Sequence, residues 1–170
     1  MARSVSDSDS VRRHNRGLLL GALRANGPQS RTALAGLTGL SHASVTAIMQ
    51  DLLAQNLVEE LVEPRSDDAR GRGRPATLVG FARQAAYVAL FEIDVNKARL
   101  SLIDYAGVLV DRTESEISPS TFRETPPHQF LGQKLDHMIA RNAKAKGALR
   151  RVAISIQGIL DRDGSGLQWS

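Results

Sequence analysis

The chain has 170 residues, a formal net charge of +4 and no cysteine, which excludes disulfide frameworks and thiolate metal sites. Its four histidines, His14, His42, His128 and His137, stand apart with no pair at i,i+4, and no apolar run approaches the roughly 18 residues of a bilayer span. A cytoplasmic protein with no metal, no cofactor, no signal peptide and no membrane partner is the expectation.

In chain order, residues 1–10 are rich in Ser and Asp and read as a disordered leader. Val11, Leu18, Leu19, Ala22 and Leu23 then recur at helical spacing until Asn26-Gly27-Pro28 ends the pattern. Residues 31–50 carry the spacing of a helix-turn-helix. Ala35 is small where two helices would touch, Gly39 stands at the turn, and Leu34, Leu40, Val45 and Ile48 supply anchors. Ser30 and Ser41 occupy the two N-cap positions. With Val45, Ile48, Met49, Leu52 and Leu53 turned inward, the second helix shows His42, Ala43, Thr46, Ala47 and Gln50, with no acidic group before Asp51. Short, hydrogen-bonding side chains suit entry into a major groove, whereas a merely solvated face more often carries Glu and Lys.

Residues 57–62 read as a strand and 76–81 as its return, with a charged tip at 63–75 that interleaves Arg65, Arg70, Arg72 and Arg74 with Gly71, Gly73 and Pro75. In Gly-Arg-Gly-Arg-Pro the glycines permit close backbone approach and the guanidinium groups suit the negative potential of a narrow minor groove. The same composition also occurs in solvated linkers. Charge follows this division: residues 1–83 hold 11 arginines, no lysine and 8 acidic residues, whereas residues 84–170 hold 11 basic and 10 acidic residues. A winged helix-turn-helix over residues 11–83, with double-stranded operator DNA as its partner, is the expectation. Its candidate contact residues are Ser41, His42, Ser44, Thr46 and Gln50 on the helix, and Arg70, Arg72, Gly73 and Arg74 on the wing.

Beyond residue 83 the pattern becomes alternating. Residues 87–94, 98–104 and 108–116 read as three strands joined by short turns, 118–127 as a Pro-, Ser- and Thr-rich link, and 128–146 as an amphipathic helix with Phe130, Leu131, Leu135, Met138 and Ile139 as its stripe. Residues 151–160 form a fourth, largely apolar strand that suits a buried parallel position. The fold class is therefore α+β, a winged helix-turn-helix followed over 84–170 by part of an actin-like or ribonuclease-H-like α/β lobe.

Taken together, the helix-turn-helix, the Gly71 to Pro75 wing motif, the strands around Glu92 to Asp104 and the glycines Gly158, Gly164 and Gly166 beside Asp161 resemble the N-terminal part of a transcriptional regulator of the repressor, open reading frame and kinase (ROK) family. The resemblance runs from about Arg13 to Ser170. It implies a repressor of carbohydrate-related genes, a homodimer in the intact protein, and a sugar effector possible only in a full-length form. In the family's kinases the first hairpin carries paired glycines that cradle phosphate; here Asp94 and Val95 stand in their place, which speaks against ATP turnover. Two other readings remain at this point: a sugar kinase with an N-terminal extension, and a winged-helix module for protein association.

Overall fold

The computed structural model describes residues 3–62, 77–157, 159–160 and 167–168, which belong to two compact units, Met1–Ala82 and Arg83–Ser170. Each mixes helices with an open sheet.

In the first unit, α1 (Arg3–Asn26) is followed by β1 (Gln29–Ser30), α2 (Arg31–Thr38), α3 (His42–Ala54), β2 (Val58–Val62) and β3 (Thr77–Phe81). The leader expected over residues 1–10 is corrected: the chain is helical from Arg3 onward. Ser- and Asp-rich sequence has little intrinsic helicity, but the segment continues the helix that Leu19 and Leu23 anchor in the core, and extending a formed helix costs far less than nucleating one. The helix closes where expected, with the Asn26 side-chain amide donating to the Ala22 carbonyl at 2.9 Å.

Three antiparallel strands in the order β1-β3-β2 complete the unit. Leu19 and Leu23 of α1, Leu34 of α2, Val45, Met49 and Leu52 of α3 and Val79 of β3 are fully buried and form its core. Each such side chain contributes on the order of 1.5–3 kcal/mol by leaving water. Gly80 is where the sheet approaches the α1–β1 connection: a Cβ there would stand 3.0 Å from Leu61 Cδ1 and 3.2 Å from Pro28 Cγ. The expected tip at 63–75 lies outside the described residues.

The second unit is a four-stranded sheet built from β4 (Tyr87–Ile93), β5 (Lys97–Asp104), β6 (Leu109–Glu116) and β7 (Leu149–Ile156), in the order β6-β5-β4-β7. The first three strands form the expected antiparallel meander, and β7 returns parallel to β4. Between β6 and β7 the chain forms α4 (Pro119–Glu124) and α5 (Pro127–Arg141). Tyr87, Ala89 and Phe91 of β4 and Leu100 and Leu102 of β5 pack with Met138 of α5 and Ala145. Phe130 meets Phe122 edge to face, with centroids 5.6 Å apart.

Three expectations need correction here. The link at 118–127 contains a short helix, because Pro119 begins α4 and the Ser118 amide donates to Thr121 Oγ1 at 3.0 Å. The helix expected to reach residue 146 stops at Arg141, where Asn142 leaves helical geometry and a 3₁₀ turn follows. The parallel strand is also not buried. Val152, Ile154 and Ile156 share a face with Ala89, Phe91 and Ile93, yet remain about half exposed, since α5 packs on β4 and β5. A small antiparallel pair, β8 (Ile159–Leu160) with β9 (Leu167–Gln168), follows. Among the described residues no helix is long and apolar enough to cross a membrane, and no group of three or more His, Asp or Glu is placed to hold a metal ion.

Candidate nucleic-acid interface

The turn between α2 and α3 is set by two serines and one glycine. Ser30 Oγ accepts the Ala33 amide at 3.1 Å and Ser41 Oγ accepts the Ser44 amide at 3.2 Å, so each helix begins with a side-chain cap. Between them Gly39 adopts φ 70° and donates its amide to the Ala35 carbonyl at 2.9 Å. A left-handed residue there ends α2 sharply and lets α3 leave in a new direction. Ala35 is buried, as a close helix contact requires.

Helix α3 divides as its periodicity dictates. Val45, Ile48, Met49 and Leu52 are buried and Leu53 is half-buried, while His42, Ala43, Thr46, Ala47 and Gln50 are exposed. Thus His42, Thr46 and Gln50 share one solvent face, offering an imidazole, a hydroxyl and a carboxamide over about two turns. Ser44 differs. It is half-buried, and its hydroxyl lies 2.9 Å from that of Ser41, so the two serines form one capping pair at the head of the helix. Arg70, Arg72, Gly73 and Arg74 lie outside the described residues.

Two arginines that periodicity alone did not single out flank this face. Arg12 of α1 forms an ion pair with Asp51, and Arg16 Nη2 donates to Gln55 Oε1 at 2.9 Å. The signal was present in the sequence: Arg12 and Arg16 continue the stripe of Leu19 and Leu23 by helical steps, and Asp51 and Gln55 are likewise one turn apart. At the other end of the motif, Arg31 Nη2 donates to Glu60 Oε1 at 2.6 Å and ties the start of α2 to β2.

In the second unit a groove of about 260 Å³ opens at the carboxyl ends of the parallel strands β4 and β7, lined in part by Glu92, Asp94, Lys97, Arg99, Ser155 and Gln157. Its cations are already partnered. Lys97 and Arg99 reach Glu114 at 2.8 and 3.0 Å, and these hydrogen bonds, that of Lys97 foremost, hold the Glu114 carboxyl below its ordinary range. The turn itself is closed by the Asp94 amide donating to the Lys97 carbonyl at 2.8 Å, and Asp94 Oδ1 accepts the Val95 amide at 2.6 Å.

No protein-family model matches the chain. Among characterised proteins it is 26% identical over 159 residues to the xylose repressor of Bacillus spizizenii, covering 94% of this chain and 40% of that protein. It is 28% identical over 155 residues to the DNA-binding transcriptional repressor Mlc of Escherichia coli, covering 91% of this chain and 37% of that one. A crystal structure of a ROK family transcriptional regulator, a homologue of Escherichia coli Mlc, superposes with a TM-score of 0.51 at 21% identity, covering 90% of this chain and 37% of that one. The chain is similar in sequence to these repressors and shares the fold of that ROK regulator. It spans about two fifths of the length of the repressors it matches, and the likeness to the ROK structure extends over both units of its α+β fold.

Proposed function

We propose that this chain is the DNA-reading part of a sequence-specific transcriptional regulator, a repressor of carbohydrate-related genes. The observation that carries this reading is the outward face of α3, where His42, Thr46 and Gln50 stand exposed with no acidic residue before Asp51, while the opposite face is locked into the core. Side chains of that kind reach base edges in a major groove. In this reading α1 to β3 form a winged helix-turn-helix over residues 11–83. Ser41 and Ser44 cap the recognition helix at the phosphate backbone, and Arg70, Arg72, Gly73 and Arg74 form a wing for the minor groove.

Residues 84–170 are assigned to the first part of a sugar-kinase-like lobe. The intact protein acts in the cytoplasm as a homodimer on a two-fold operator, and a sugar effector belongs to the full-length form. That two of the matched relatives are named xylose repressors supports a carbohydrate-related target. We assign no kinase activity to the chain. Where a phosphate would need free backbone amides, the Val95 amide is bonded to the Asp94 carboxylate, whose negative charge would oppose the ligand.

The test is selection of bound duplexes from a random DNA pool by the full chain. Enrichment of one sequence, with affinity falling steeply as salt rises, is expected. Equal retention of all sequences would exclude specific regulation, and no retention would favour a protein-association module.

A further inference from the structure

The Arg12–Asp51 pair joins the first helix of the unit to the one helix whose outer face is offered to DNA, and nothing in the proposed reading uses it. Asp51 is the sole acidic residue of α3. It lies one turn beyond Ala47 and next to Gln50, so it borders the exposed face rather than standing opposite it. A carboxylate at that border would repel the phosphates flanking a bound major groove.

We infer that Arg12 is a positioning residue that masks the charge of Asp51, so that no uncompensated carboxylate borders the face of α3 offered to DNA. This rests on the proposal that α3 reads DNA. The pair is solvent-exposed, with side-chain exposures of 64% for Arg12 and 38% for Asp51, and such pairs contribute little to stability. The helices are also held together independently of it. Arg16 donates to Gln55 one turn further along, and Leu19 and Leu23 of α1 are buried in the same core as Val45, Met49 and Leu52 of α3. What the pair changes is where charge sits. With Arg12 present the Asp51 carboxylate is compensated in place; without it, that negative charge faces the phosphates, since Arg16 is engaged one turn away at Gln55.

The experiment measures binding of the full chain and of Arg12→Ala, Asp51→Asn and the double variant. The probes are the duplex that the unmodified chain enriches from a random pool of about 30 base pairs, long enough for two half-sites, and the unselected pool itself. Masking predicts that Arg12→Ala weakens binding on the order of tenfold on both probes, that Asp51→Asn binds at least as tightly as the unmodified chain, and that the double variant returns to within about twofold of it. The salt slope falls in magnitude for Arg12→Ala and recovers in the double variant. Helix content by circular dichroism is the same for all four proteins.

A double variant as weak as Arg12→Ala would overturn the inference in favour of a direct phosphate contact by Arg12. An equal loss in Asp51→Asn, or a loss of helix, would overturn it in favour of a purely structural pair. If the unmodified chain enriches no duplex, the DNA reading falls and takes this inference with it, an outcome distinct from either of the others.

Discussion

Arg141, at the end of α5, grips Asp111 of β6 with two hydrogen bonds, Nε to Oδ2 at 2.6 Å and Nη2 to Oδ1 at 2.8 Å, and Asn142 adds a third to Oδ2 at 2.6 Å. This fork fixes the C-terminal end of the helix over the sheet. The hydrogen bonds from Arg141 hold the Asp111 carboxyl below its ordinary value, partly opposed by desolvation.

Asp111→Ala is expected to destabilise the second unit by roughly 1 kcal/mol at neutral pH, a modest figure because the arginine is half exposed. Since the folded-state pKa of Asp111 lies below its unfolded value of about 3.9, the contribution is fully present above that value and disappears as pH falls through the lower, folded-state value. Urea unfolding at pH 7 and near pH 3 checks this. A difference between Asp111→Ala and the parent that is the same at both pH values would show that the fork is not electrostatic in origin.

Two glycines of the same short helix should respond with opposite signs. Gly39→Ala places a side chain at φ 70° and should cost about 1–2 kcal/mol, whereas Gly36→Ala, in a helix interior with open space around its Cβ position, should stabilise by about 0.5–1 kcal/mol. Thermal unfolding of the first unit distinguishes them, and a shift in the same direction for both would contradict the left-handed cap.

Much of the first unit was legible because its determinants are local. Ser30, Gly39 and Ser41 each announce a helix boundary through their own backbone chemistry, and the inward set from Val45 to Leu52 follows from period alone. The missed features depend on partners distant in sequence. The start of α1 is polar and is ordered as the continuation of a helix that Leu19 and Leu23 anchor further along, and the exposure of Val152, Ile154 and Ile156 depends on where α5 lies, which the apolar sequence of the strand cannot reveal. The α4 start was readable in Ser118-Pro119 but was outweighed by a loop-like composition. The pairing of the Ser44 and Ser41 hydroxyls was not legible, because helical phase says nothing of a hydrogen bond between them.

For the exposed face of α3, Thr46→Ala or Gln50→Ala should reduce affinity for the preferred duplex by about 1–3 kcal/mol and for random DNA far less. Titrations against both duplexes measure this. Equal losses would remove base readout by these two residues.

Arg72 and Arg74 lie outside the described residues. Replacing Arg72 and Arg74 together by Ala should weaken binding and lower the salt slope by about one unit for each lost phosphate-like contact, with the footprint shrinking over a flanking A·T-rich segment. An unchanged footprint and slope would leave the segment as a solvated connection.

Ser30 holds two positions at once: as a strand residue it pairs with Leu78 of β3, and its hydroxyl caps α2 through the Ala33 amide. The hairpin and the helix-turn-helix therefore share a joint with no slack. Replacing that one residue therefore reaches two elements: the hydroxyl that Ser30→Ala removes is the one that accepts the Ala33 amide, while the backbone that pairs with Leu78 is kept, so the substitution separates the cap of α2 from the edge of the sheet.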